Sequence, residues 1–159
     1  MDLYDWLLAL HLLSAAALVT AMTLFTAMVV ASRTTDVPSA AARFFGLARV
    51  GNVVVGVGLM GTLIFGIWLA IQVDGYSVWD PWILVALVLW ALGAEAGRRS
   101  GVIYTEAGNR AVARVREGND EPDPEIRALL GSNRALGFHV ASVTAVVLIL
   151  VDMIYKPWA

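Results

Sequence analysis

The sequence predicts an all-α integral membrane protein, a bundle of four transmembrane helices with both termini on one face. Three observations carry that expectation. Apolar residues make up 59% of the 159 positions and mean hydropathy is +0.74, whereas roughly half of a soluble domain is apolar. Four runs, at 6–30, 50–71, 81–97 and 135–154, approach or exceed the ~20 helical residues that cross a ~30 Å hydrocarbon core. Ten of the eleven Lys and Arg residues fall in two stretches, 33–49 and 98–134, which alternate with those runs. The length suits one domain, so 1–159 is read as a single transmembrane unit.

The first run follows Asp2 and Asp5. A signal peptide needs a basic start and a short apolar core, so this run is expected to be a retained helix. The loop after it holds Arg33, Arg43 and Arg49, with a turn at Asp36-Val37-Pro38-Ser39 and a short helical segment over 40–47. In the second run Gly58, Thr62 and Gly66 recur every four residues and put small side chains on one face. In lipid such a face lets a neighbouring helix backbone come close; a flat macrocycle resting on the glycines is the other reading. Gly56, Gly58 and Gly61 match the letters of a dinucleotide fingerprint, but inside a span they are not a nucleotide site.

Tyr76, Trp79 and Trp82 form an aromatic belt at the start of the third run, which Glu95 interrupts and Arg98 and Arg99 close. Val102 to Arg116 reads as an amphipathic helix prolonging the third span out of the membrane. Gly118-Asn119-Asp120-Glu121-Pro122 breaks it. Asp123 and Pro124 supply an N-cap acceptor and a first-turn proline, so the fourth helix is expected to start there and run unbroken through Arg134 into its span. The loop 98–134 holds seven arginines, while the opposite face holds Asp2, Asp5, Asp74, Asp80 and Lys156. The positive-inside rule then places both basic loops in the cytoplasm and both termini outside. The basic loop is read as a solvated face, with anionic lipid head groups or a cytoplasmic partner as the functional alternative.

Ionisable groups at membrane depth cost roughly 2.5–3.5 kcal/mol each on insertion scales and usually face the bundle interior. The candidates are His11, Glu95, His139 and Asp152, joined by Asn52. By helical rise His11 and Asp152 lie ~10–11 Å to the outer side of midplane, close enough in depth for a hydrogen bond if the first and last helices are neighbours. Ser14 and Met153 would complete an outer pocket. Asn52, Glu95 and His139 lie ~8–12 Å to the inner side. Arg98 and Arg99 are spaced to neutralise Glu95 within its own helix. The histidines should sit ~18–20 Å apart along the normal, which argues against one haem or metal shared by both. His11 with Met153 is the candidate ligand pair for a haem b.

Cysteine is absent, which excludes disulfides and thiolate metal sites. The methionines form no pair at helical spacing, so a copper conduit is not expected. The net charge of −2 hides a strong asymmetry and carries no information about nucleic acid, and no nucleic-acid partner is expected. No nucleophile–base set, phosphate loop or His-Glu-x-x-His motif is present, and no enzymatic activity is expected.

Leu10-His11-Leu12-Leu13-Ser14-Ala15-Ala16-Ala17-Leu18 resembles the opening helix of the copper-resistance CopD-like membrane proteins. Val151-Asp152-Met153-Ile154-Tyr155-Lys156-Pro157 is similar to the ending of an uncharacterised branch of predicted integral membrane proteins in that group. The resemblance implies a small bacterial inner-membrane four-helix bundle, in a group with links to copper uptake and haem-associated redox work. Of its marker positions His11 carries over, while Val19-Thr20-Ala21-Met22 stands where relatives have Trp and Gly. The expected role is an accessory or structural membrane subunit, in contact with lipid and with another membrane protein or a second copy. Haem or metal binding through His11, and a proton or cation path through His11 and His139, are the alternatives.

Overall fold

The computed structural model describes residues 2–73 and 75–156, built from α1 (Leu3–Ser32), α2 (Pro38–Gln72), α3 (Pro81–Arg116), α4 (Pro124–Leu130) and α5 (Asn133–Tyr155). Asp74 and Pro157, used above for orientation and resemblance, lie outside the described residues. Four stretches are long and apolar enough to cross a membrane: α1, α2, α3, and α4 with α5. The expected spans sit inside longer helices. Segment 40–47 is the first part of α2, and Val102 to Arg116 continues α3 without a break.

Each helix start has a local cause. Asp2 accepts from the Asp5 amide at 2.9 Å and Asp5 accepts from the Asp2 amide at 3.2 Å, a reciprocal capping box. Pro38 and Pro81 open α2 and α3, where a missing N–H costs nothing. Val37 cannot cap α2 with its side chain, and Asp120 from the long loop does so instead. It accepts from the Ser39 amide at 2.8 Å and the Ser39 hydroxyl at 2.9 Å.

The fourth helix is not continuous. α4 ends at Gly131, whose N–H closes on Arg127 O at 2.8 Å, and Ser132 caps α5 by accepting from the Ala135 amide at 3.3 Å. A Cβ on Gly131 would lie 2.9 Å from Arg127 O. A tight turn and a new cap at Gly131-Ser132 therefore replace the expected straight run.

α1 lies along α2 and α3 along α5, so the bundle is two helical hairpins; α2 touches α3 over a shorter stretch, and α1 barely meets α5. Only 11–22% of each apolar span is buried, and Leu13, Val50 and Val53 are about two-thirds exposed. Such surface suits lipid, so narrow seams hold the helices together. In the first seam a Cβ on Gly58 would lie 2.8 Å from Leu18 N and 3.0 Å from Ser14 O. In the second, a Cβ on Gly93 would lie 3.0 Å from the Ala145 methyl, and one on Gly97 3.1 Å from Ser142 Oγ. Ser142 donates to Gly93 O at 2.9 Å and Ser100 to Ala135 O at 3.0 Å, tying α5 to α3.

Two small cores join the hairpins at their ends. At the terminal end Ala70, Trp82 and Ile83 pack with Met153. At the basic end Ile126 and Leu130 of α4 pack into Ala41, Ala107 and Ala111, and Ile126 is fully buried. Asp123 anchors this cap. Its carboxylate accepts from the Glu125 and Ile126 amides at 2.8 and 3.3 Å and from Arg110 and Arg114 at 3.0 and 3.1 Å; its own amide donates to Asp36 O at 2.9 Å. Burial works against charge on Asp123, but those amides and guanidinium groups outweigh it and hold the carboxyl down at about 2.

Two outcomes follow from these contacts. Gly58→Leu should lower stability by about 1–3 kcal/mol through overpacking, whereas Gly56→Leu, with nothing within 4 Å of its Cβ, should be neutral; thermal unfolding in detergent compares them. For Asp123 the folded value lies below the ordinary 3.8, so its contribution is complete above that pH and is lost as pH falls toward about 2. Hydrogen exchange over 124–130 should rise across that window, and Asp123→Ala should raise it already at neutral pH.

Candidate functional site: a chamber between the hairpins

Between the two end cores the hairpins do not close, and they enclose a chamber of about 750 Å³. Small residues make the space: Ala48 on α2, Ala94, Gly97 and Gly101 on α3, and Ala145 on α5 all face it. Aromatic side chains form much of the wall, with Phe25 from α1, Phe44 and Phe45 from α2, and Trp90 from α3. Trp90 Nε1 donates to Leu59 O at 3.2 Å and bridges α3 to α2 on one side. Phe45 packs onto Gly108, where any side chain would collide, and bridges them again toward the basic end. Along α2 the two bridges are ~21 Å apart by helical rise. The chamber opens between them, where the lining residues Asn52, Gly101 and Thr105 are exposed.

His139 is 7% exposed and forms part of the chamber wall. Its Nε2 lies 2.9 Å from Thr26 Oγ1, and that hydroxyl donates to Met22 O at 2.8 Å. Asn52, expected at the same depth, lines the chamber mouth. Glu95 is paired with Arg98 and Arg99, each at 2.7 Å, so its helix neutralises it as its spacing predicts, and Arg98 stands at the chamber rim.

His11 is elsewhere, between α1 and α2. Its Nδ1 lies 3.0 Å from Thr62 O, a carbonyl that only accepts, so Nδ1 carries the ring proton. Thr62 Oγ1 donates to Gly58 O at 2.7 Å, and a Cβ on Gly66 would lie 2.9 Å from His11 Cε1. The face of Gly58, Thr62 and Gly66 thus receives α1, with His11 seated on Gly66; it is not an open shelf for a macrocycle. The His11–Asp152 pairing is not formed, because α1 packs on α2 and hardly meets α5. Asp152 is 7% exposed with Oδ2 unpartnered among the described residues, and Met153 packs against the terminal-end core. His11 and His139 engage α1 at His11 itself and at Thr26, ~22 Å apart by helical rise, in keeping with two separate layers. Among the described residues no three His, Asp or Glu side chains cluster to hold a metal ion.

Neither the chamber nor the second seam is among the sequence-based expectations. The seam had a signal, since Gly93, Gly97 and Gly101 repeat every four residues as Gly58, Thr62 and Gly66 do. The chamber had none, because Phe25, Phe44, Phe45 and Trp90 sit in runs where apolar residues dominate every face.

The family model described as "Predicted integral membrane protein (DUF2269)" matches residues 5–157, and the chain belongs to that family. No curated protein and no solved structure matches the chain.

Proposed function

We propose that this member of the family of predicted integral membrane proteins binds a lipid-soluble small molecule in the chamber between its hairpins, as an accessory subunit that holds or delivers that molecule. The observation that carries the reading is the chamber itself. Ligand sites are concave, largely apolar and about 300–1,000 Å³ in volume, and this one measures about 750 Å³ with aromatic walls and a few polar groups. Its mouth lies between α2 and α3, toward the end where Arg98 and Arg99 close the third apolar run.

The basic loops support a cytoplasmic position for the chamber's Arg98 rim. The likeness of the His11 stretch to CopD-like proteins supports a bacterial inner membrane as the location. Haem or metal at His11 would require the ring to leave Thr62 O or to bind through its other nitrogen. A proton or cation path through both histidines would need a polar connection across ~22 Å. Holding an apolar ligand asks for neither.

Protein extracted in mild detergent should carry a non-phospholipid apolar molecule near one per chain, detected by solvent extraction and mass spectrometry. Ala94→Trp, which fills the chamber, should lose that molecule while circular dichroism stays helical. A chain that carries nothing and binds no brominated naphthalene probe would sink the reading.

A further inference from the structure

We infer that the chamber selects a flat, lipid-soluble molecule bearing a hydroxyl or similar hydrogen-bond donor, and that Nδ1 of His139 is the acceptor that recognises it. This rests on the chamber being a ligand site.

The argument starts from Thr26. Its hydroxyl has one hydrogen, directed to Met22 O at 2.8 Å, and Met22 O has no hydrogen to give. The contact between Thr26 Oγ1 and His139 Nε2 at 2.9 Å therefore takes its hydrogen from the ring. With Nε2 protonated, a neutral imidazole presents Nδ1 as a bare lone pair. The ring's hydrogen bond among the described residues is the one at Nε2, and the side chain stands on the chamber wall.

The other wall polar groups at this depth are already engaged. Ser142 donates to Gly93 O at 2.9 Å, Ser100 donates to Ala135 O at 3.0 Å, and Arg98 is held by Glu95 at 2.7 Å. Asn52 is exposed at the mouth. His139 thus keeps unspent hydrogen-bonding capacity, and what it offers is acceptance alone; Tyr104 Oη, farther along α3 toward the basic end, is a second buried wall group without a partner among the described residues. A ligand carrying only carbonyl or ether oxygens gains nothing from it. One with a hydroxyl on a planar ring gains a hydrogen bond between largely apolar walls, while Phe25, Phe44 and Trp90 take the ring faces. Thr26 acts as a positioning residue that fixes the tautomer.

The test uses the full chain in lipid nanodiscs with 6-bromo-2-naphthol and 6-bromo-2-methoxynaphthalene, whose bromine quenches tryptophan fluorescence. Affinities are expressed as mole fraction in the lipid, and Trp90→Phe identifies the quenching that comes from the chamber. The naphthol should bind about twofold to tenfold more tightly than its ether, the range of one net hydrogen bond. In His139→Phe the two probes should bind alike. Thr26→Val should narrow the preference with His139 still present, because the ring proton is then free to move to Nδ1; this variant keeps the question open to test if His139→Phe fails to fold. Equal affinities in the unaltered chain, or a preference that survives His139→Phe, would overturn the hydroxyl assignment while leaving the chamber reading intact. Failure of both probes to quench would remove the chamber reading and this inference together. A low-spin haem spectrum that depends on His139 would also overturn it, since the lone pair would then serve iron.

Discussion

In a bilayer, apolar side chains gain little by leaving lipid for one another, and close approach of backbones becomes the main adhesive between helices. The architecture of this chain depends on that constraint. Gly58 lets the backbone of α2 lie against Leu18 and Ser14, and Gly93 and Gly97 let α3 lie against Ala145 and Ser142. Serine and threonine hydroxyls then find carbonyls across or within the seams, where leaving them unpaired would be costly. Two tight hairpins result. The hairpins meet instead through a small core at each end and through the single links Trp90–Leu59 and Thr26–His139, with the chamber left between them.

The balance between seams and cores also explains the treatment of polar groups. His11 lies inside a seam and is spent on a backbone carbonyl, with Gly66 giving it room. His139 lies beside the gap and is only half spent, because its hydrogen bond among the described residues is the one to Thr26 at Nε2. The two histidines share a residue type, yet their surroundings give them opposite protonated nitrogens.

Much of the fold was legible in the sequence, and the reason is physical. Span length, the Asp123-Pro124 start and the small-residue face of Gly58, Thr62 and Gly66 are local or one-dimensional signals, and the structure carries each as a helix, a cap or a seam. The pairing Glu95–Arg98–Arg99 was equally legible because its partners are one turn apart. Which helices neighbour one another was not legible. The supposition that α1 meets α5 put His11 beside Asp152, whereas hairpin pairing sends His11 to Thr62. The break at Gly131-Ser132 was also missed, since an apolar pattern continues across it and only cap chemistry marks it. The chamber is a property of what fails to touch, and no residue announces it.

The cap over the basic end joins segments far apart in the chain: Asp120 holds the start of α2, Arg127 reaches Asp36 at 3.5 Å, and Arg33 reaches Asn133 at 2.8 Å. These ties cross from one hairpin to the other, so the cap works as a hinge plate bolted to two stiff arms. The two arms are tied at this end by these side-chain contacts and meet at the other through the core of Ala70, Trp82 and Met153, with the chamber between.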